Sequence, residues 1–449
     1  PSWRWGCTDH RSAPKVLVAS MRTESSQATL AAVDSAVSSL PARPQLDTSP
    51  SKLQKNALIG KGGFGLVYRC THQSGAQFAL KQIHKGRAAK RPLGAQLVAR
   101  EIAAHEALPP HPFVVAMHRC WQDDRSVYLL LELCACTLFD ALFLHGDRNY
   151  RLPEASAKVY LASVALALRH LHRAGLVFRD LKMENVLLDP AGQLKLADLG
   201  SAKRVSDAPG QRLMTEIGTQ SYLPPEQVGG RGRNYAGDLW ALGVLAYEML
   251  VGEPGPFEEE DVGEEAPTRL RLFAAATTSQ ERVAAYAAAP SGRREAIRRR
   301  LLECRTERGA ANMADAVVGL LQPCETRRLG CGALGLASLL EHPWFDGFDW
   351  PALVAGRMPP PFVPPREPTQ DMTAQLLADS LAPCMLEPPP VDAAVQVQFG
   401  EMAPMHWIGS ELAGVAGGAE ATAEEEDDAA ILQLLGARPR SRVPCHNLL

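Results

Sequence analysis

The residues Phe178-Arg179-Asp180-Leu181-Lys182-Met183-Glu184-Asn185, followed after nine residues by Lys195-Leu196-Ala197-Asp198-Leu199-Gly200, gather two aspartates, a carboxamide and an ammonium in a short span. Asp198 and Asn185 offer hard oxygen donors of the kind an octahedral Mg²⁺ takes. A carboxylate such as Asp180 can orient a hydroxyl nucleophile and accept its proton, and an ammonium such as Lys182 can neutralise charge on a phosphoryl group in transit. Singly these are ordinary polar residues. As an ordered set they are the parts that phosphoryl transfer needs.

Upstream, Phe78-Ala79-Leu80-Lys81 reads as a strand ending in one ammonium, and Glu101 lies twenty residues later in a helix predicted from about Gly94 to Leu108. Glu101 can supply the carboxylate that holds Lys81 on nucleotide phosphates. Further back, Ile59-Gly60-Lys61-Gly62-Gly63-Phe64-Gly65-Leu66-Val67 carries a GxGxxGxV pattern. Glycines so spaced also serve dinucleotide turns, but those open a helix. Here Val67-Tyr68 runs on as a strand, so a glycine flap between two strands is predicted. Without a Cβ, its backbone amides can close over phosphate oxygens. Downstream, Gly218-Thr219 and Pro224-Pro225-Glu226 complete the order.

In this order and spacing the motifs resemble the catalytic domain of eukaryotic protein kinases, over roughly residues 53–347. The resemblance implies an α+β, bilobal kinase fold. A small antiparallel β-rich N-lobe with one key helix (about 53–133) precedes a larger, mostly helical C-lobe (about 134–347). It also implies ATP and Mg²⁺ as ligands. Ile59, Gly60, Gly62 and Gly65 would then lie over the nucleotide, and Val67, Ala79 and Leu187 against the adenine. Leu131 would be the gatekeeper, with Glu132 and Cys134 offering hinge backbone groups. Lys81, held by Glu101, would position the phosphates, and Asn185 and Asp198 would bind the metal. Asp180 would orient the attacking hydroxyl and Lys182 neutralise charge on the γ-phosphate.

The string DLKMEN is similar to the serine/threonine class. GLVFRDLKMENVLLDPAGQLKLADLGSAKRV, the segment Thr215-Glu216-Ile217-Gly218-Thr219 and EHPWFDGFDWPALVAGRMPPPFVP are similar to the AGC group, closest to the cyclic-nucleotide-dependent kinases. By the same resemblance Thr215 is a regulatory phosphosite whose phosphate would meet Arg179 and Lys203. Glu226 and Arg328 would form a buried ion pair, and Asp238 would anchor the catalytic loop. The implied partners are protein substrates with basic residues upstream of the phosphosite, an activating kinase and a separate regulatory subunit.

Composition excludes other classes. With 46% hydrophobic and 22% charged residues in 449, the chain can bury a core. Lys plus Arg is 47 against 50 Asp plus Glu, a net charge of −3, which does not suit a charge-steered nucleic-acid binder. The 10 cysteines show neither C-x-x-C nor zinc-finger spacing, so reduced thiols in a cytoplasmic or nuclear setting are expected. No apolar run approaches the roughly 18–20 residues of a membrane span. PSWRWGCTDH lacks a signal-peptide core, and the given chain begins with Pro1 rather than Met.

Residues 1–52 read as a flexible low-complexity leader with one short helix near Ala28–Ser38, and residues 348–449 as an AGC-like, Pro-rich, largely irregular tail. An insert at about 253–293 has no counterpart in the resemblance. The charge runs at 258–265, 293–300 and 424–428 read as solvated faces or linkers.

Several positions depart from the family pattern. Leu199 stands where phenylalanine is usual, and Phe178 where histidine or tyrosine is common, both still apolar. His105, four residues after Glu101, puts an imidazole where an apolar residue normally packs. Thr137 occupies one acidic substrate-selecting position, while Glu184 and Glu248 match two others. Phe399-Gly400-Glu401-Met402 reads as a chance match to a hydrophobic motif. Two rival readings stay open. A pseudokinase scaffold would lack one of Lys81, Asp180, Asn185 or Asp198. A calcium/calmodulin-dependent-group kinase would carry a basic amphipathic helix where this chain is Pro-rich after Arg357.

Overall fold

The computed structural model describes residues 16–41, 46–61, 65–145, 149–205, 212–213, 219–253, 255–256, 283, 287, 290–304, 309–332, 334–365, 391–400 and 406–407. Most of the insert, Gly62 and Thr215 therefore lie outside the described residues. Contacts group the chain into a β-rich unit (42–152, 166–219 and 360–449) and a helical unit (1–41, 153–165 and 220–359). This grouping differs from the expected division near residue 133, because 166–219 cluster with the strands.

In the β-rich unit, β1 (Leu53–Lys61), β2 (Gly65–His72), β3 (Gln77–His84), β4 (Met117–Gln122) and β5 (Ser126–Glu132) form an antiparallel sheet in the order β1-β2-β3-β5-β4. The period of two along a strand sorts its side chains between the faces. Val67 pairs with Lys81 and Ala79 with Leu131, so these four share one face with Ile83, Val127 and Leu129. The other face buries Cys70, Phe78, Leu80, Trp121, Tyr128 and Leu130. Gly65 has a packing reason: a Cβ there would lie 1.8 Å from the Gln82 carbonyl oxygen.

Helices α2 (Lys85–Ala89) and α3 (Gly94–Ala107) follow β3, and α3 turns Val98 and Ile102 into a cluster with Ile83, Val127 and Leu129. The tail completes this cluster, which corrects the reading of Phe399 as a chance match. Phe399 on the helix Ala393–Gly400 is fully buried among these residues, with Val395 packed alongside. The Lys85 ammonium lies 3.0 Å from Gln396 Oε1 and 2.6 Å from the Asp123 carbonyl oxygen. Beyond it, β11 (His406–Trp407) adds to β4 as a parallel edge, so the sheet is not wholly antiparallel.

The helical unit centres on the helix Tyr235–Val251, whose residues Ala236 to Val251 are all buried. The Asn234 side chain accepts from Ala236 N at its start, and Gly252 at φ +75° ends it. Glu226 and Arg328, both with fully buried side chains, are joined by two hydrogen bonds of 2.8 Å. Arg328 also donates to the carbonyl oxygens of Ala236 (2.6 Å) and Gln322 (2.9 Å). Asp238 is buried and accepts from Arg233 at 2.9 Å. The leader differs from expectation. It forms a 23-residue helix, α1 (Val16–Ser38), which buries Val33 and packs on the helices Ala337–Leu340 and Trp350–Val354.

Replacing Arg328 by Met strands the Glu226 carboxylate and is expected to cost about 3–5 kcal/mol. Urea unfolding should show the loss for Arg328→Met and recovery of most of it in Glu226→Met/Arg328→Met.

Candidate active site

Strand β7 (Leu176–Val177) pairs with β10 (Lys203–Arg204), while β6 (Cys136–Thr137), β8 (Val186–Leu188) and β9 (Leu194–Leu196) form a three-stranded sheet. These short ladders fix both ends of the loop carrying Asp180. Phe178 is fully buried, and Arg179 adopts φ +74°, which turns the chain so that consecutive side chains diverge. The Arg179 Nε donates to the Ser201 carbonyl oxygen at 2.6 Å, and β7–β10 pairing puts Lys203 opposite Val177. Their expected phosphate partner, Thr215, lies outside the described residues.

Asp180 has donors on both oxygens. Thr219 Oγ1 donates to Oδ1 at 3.0 Å, Asn185 Nδ2 donates to Oδ2 at 3.0 Å, and Lys182 Nζ lies 3.4 Å from Oδ2. Asn185 Nδ2 also donates to the Asp180 carbonyl oxygen at 2.7 Å, which leaves Asn185 Oδ1 to face elsewhere. The Ala197 N–H donates to the Asn185 carbonyl oxygen at 2.9 Å and so carries the connection to Asp198.

Lys81 Nζ lies 2.7 and 2.8 Å from the two Glu101 oxygens and 3.4 Å from Asp198 Oδ1. The Lys81 and Glu101 side chains are 6% and 2% exposed, whereas Asp198 is 40% exposed and open to a ligand. Burial pulls the Lys81 ammonium down, but Asp198 and Glu101 outweigh it and hold the group well above its ordinary value. Lys81 in turn holds the Asp198 carboxyl below the usual range against the effect of burial. Gly200 lies beside this contact, where a Cβ would meet Asp198 Oδ1 at 3.4 Å and Glu101 Oε2 at 3.6 Å, ordinary van der Waals distances.

The Asn185 oxygen and the exposed Asp198 carboxylate fit Mg²⁺, which needs few protein ligands when phosphates supply the rest. Among the described residues no three or more His, Cys, Asp or Glu side chains are grouped so as to hold a metal alone.

Of the expected base-binding residues, Val67, Ala79 and Leu131 share the sheet face that carries Lys81, and Gly60 pairs with Val67, one residue beyond Ile59. Leu187 lies on β8 opposite Thr137 and Lys195. Glu132 N–H donates to the Ala116 carbonyl oxygen at 2.9 Å, so a nucleotide contact from its backbone falls to its own carbonyl. Burial pushes the Cys134 thiol far up, which makes it a poor nucleophile.

Some features escaped the reading of the sequence. Thr137 and Asp140 cap helix α4 (Leu138–His145) reciprocally: Thr137 Oγ1 donates to Asp140 Oδ2 at 2.8 Å and accepts from Asp140 N at 3.0 Å. The Thr-x-x-Asp spacing signals such a box. Glu248 is buried and accepts a hydrogen bond from the Tyr222 hydroxyl, whereas Glu184 is exposed.

A family profile described as a protein kinase domain matches residues 53–345, nearly the span over which these side chains are placed. The chain belongs to the protein kinase family. Its relatives are of the AGC group. It is 32% identical over 308 residues to the cAMP-dependent protein kinase catalytic subunit of Dictyostelium discoideum, covering 68% of this chain and 42% of that protein. It is 31% identical over 315 residues to human ribosomal protein S6 kinase alpha-4, covering 68% and 37%. It is 33% identical over 318 residues to a cAMP-dependent protein kinase, catalytic subunit-like, of Caenorhabditis elegans, covering 70% of each. The chain thus spans about two fifths of the first of these relatives. No described helix of this kinase is long and apolar enough to cross a membrane, and its seven described cysteines are free thiols.

His105 lies one turn after Glu101 in α3 of the kinase domain. Burial and the Lys81 charge hold its imidazole down at about 4, from an ordinary 6.5, with Asp198 opposing. The folded state therefore keeps it neutral while the unfolded chain protonates it. The associated stability is complete above pH 6.5 and is lost as pH falls toward about 4. The loss is expected to be on the order of 1–3 kcal/mol. Urea unfolding at pH 7 and pH 5 should show His105→Leu flattening this acid limb.

Proposed function

We propose that the chain is a serine/threonine protein kinase that transfers the γ-phosphoryl group of ATP to protein hydroxyls. The observation that carries this reading is two clusters of side chains within the β-rich unit, linked through the backbone by the Ala197 N–H on the Asn185 carbonyl oxygen. Glu101 holds Lys81 at 2.7 Å, Lys81 lies 3.4 Å from Asp198, and Asn185 and Thr219 each hold Asp180 at 3.0 Å. None of the four residues whose loss marks a pseudokinase is missing: Lys81, Asp180, Asn185 and Asp198.

In this reading Lys81, kept charged and immobile by Glu101, holds the nucleotide phosphates, while Ile59, Gly60, Gly62 and Gly65 cover the nucleotide. Val67, Ala79 and Leu187 pack on the base beside Leu131, with Glu132 and Cys134 as hinge. Asp180, aimed by Asn185 and Thr219, orients the substrate hydroxyl and takes its proton, and Lys182 neutralises charge developing on the transferred group. Asn185 and Asp198 would hold Mg²⁺, which when bound supplies charge neutralisation on the phosphates.

Regulation follows the family pattern. Phosphate on Thr215, added by an activating kinase, is met by Arg179 and Lys203 and orders the segment carrying Thr219. A separate regulatory subunit and a cytoplasmic or nuclear setting belong to the same proposal. The exposed Glu184 supports a preference for substrates with basic residues upstream of the phosphosite. The Thr137–Asp140 cap and the buried Glu248 leave less acidic surface for it than the family pattern offers.

With Mg²⁺, labelled ATP and an arginine-rich serine peptide, Asp180→Asn is expected to reduce transfer by about 10²-fold or more while nucleotide still binds. Thr215→Ala should reduce it severalfold. Wild-type protein that binds ATP but transfers nothing even when phosphorylated on Thr215 would favour a scaffold. In a degenerate peptide library, upstream Arg or Lys should be enriched among phosphorylated sequences; no enrichment rejects the basic preference.

A further inference from the structure

Strand β9 reads Leu194-Lys195-Leu196, with a lysine between two buried leucines. Lys195 is itself only 7% exposed, in a position where an apolar residue would serve packing equally well. A buried ammonium is costly unless a partner faces it. Here the partner is Glu132, whose Oε1 lies 2.7 Å from Lys195 Nζ. Its other oxygen, Oε2, accepts from the Ala116 N–H at 3.3 Å, while the Glu132 N–H donates to the Ala116 carbonyl oxygen at 2.9 Å. The carboxylate is thus fixed at the end of β5 and reaches across to β9.

The position of this pair matters. Thr137, Leu187 and Lys195 lie in one row across the β6-β8-β9 sheet, so Lys195 shares a face with Leu187, the proposed floor of the base pocket. Glu132 follows the gatekeeper Leu131. From Lys195 the chain runs through Leu196, whose N–H donates to the Phe113 carbonyl oxygen at 2.8 Å. Ala197 is bonded to Asn185, and Asp198 comes next. One ion pair therefore joins the strand that meets the base to the strand that delivers the metal-binding carboxylate.

We propose that Lys195 is a positioning residue for the nucleotide, a strut that sets the spacing between the hinge and β9 through its ion pair with Glu132. It touches neither the phosphates nor the reacting hydroxyl. The inference rests on the kinase reading, since the geometry it sets is that of the ATP pocket.

The test compares full-length wild type with Lys195→Gln, Lys195→Arg and the charge-reversed Lys195→Glu/Glu132→Lys. Binding of a fluorescent ATP analogue, KM for MgATP, kcat and the melting temperature without nucleotide are measured for each. Lys195→Gln is expected to weaken nucleotide binding and raise KM for MgATP about tenfold, with kcat within about twofold of wild type. Lys195→Arg is expected to return both to within about threefold. An unchanged KM in Lys195→Gln, or Lys195→Arg as weak as Lys195→Gln, overturns the proposal. So does a loss of affinity that follows the melting temperature alone across the variants. If Lys195→Gln does not fold, the charge-reversed pair decides: affinity near wild type supports the strut, and affinity as low as expected for Lys195→Gln rejects it. Wild-type protein that binds no nucleotide overturns the kinase reading itself.

Discussion

A buried ammonium is costly unless acceptors face it, and Lys81 draws carboxylates to it from two separate segments. Glu101 arrives from α3 and Asp198 from the turn after β9. Glu101, itself buried, cannot withdraw without leaving a charge in a poorly solvated place, and truncating one partner of such a buried pair is far costlier than losing an exposed one. The constraint propagates. Glu101 reaches Lys81 only if α3 lies with Val98 and Ile102 against the sheet, and that apolar seat is filled from the far side by Phe399. Electrostatics at Glu101 and close packing at Val98 and Ile102, all within about one turn of each other, thus select the same helix position.

The polar loops of the site were the most legible part of the sequence. Asp180, Lys182, Asn185 and Asp198 lie within a short span, and their mutual distances follow from local turns and short ladders. The antiparallel strands from Leu53 through Ile83 were legible for a similar reason, because alternation and glycine turns are local signals. At Gly65 the structure adds a packing constraint that the sequence pattern did not name. Its pattern pointed to phosphate contact, yet the approach of β2 to β3 alone forbids a side chain there.

What was not legible depends on partners far along the chain. The segment around Phe399 has little apolar periodicity of its own and becomes a core element only because α2 and α3 present a gap of the right shape. The leader looked irregular because its Ser and Thr residues lower helix propensity, while the surface that stabilises α1 comes from residues 337–340 and 350–354. His105 looked like a flaw in the helix pattern; in the fold it is a half-buried imidazole held below its ordinary pKa by desolvation and the Lys81 charge. The Lys195–Glu132 pair carries no motif, since nothing in either neighbourhood announces the other.

The seat of the tail helix also has a bearing on synthesis. Lys85 and Gln396 are separated by 311 residues, yet they share a hydrogen bond beside Phe399. At ribosomal rates of about 5–20 residues per second, the last members of that core emerge roughly 15–60 s after the strands they complete. Throughout that interval the nascent sheet presents the apolar rim formed by Ile83, Val98 and Ile102 with nothing from the tail upon it. Contacts of such long range are also slow to form, because the intervening loop must close first. A newly made chain therefore passes through a stage in which its first-made core invites chaperones or neighbouring chains, and the docking of the tail helix brings that stage to a close.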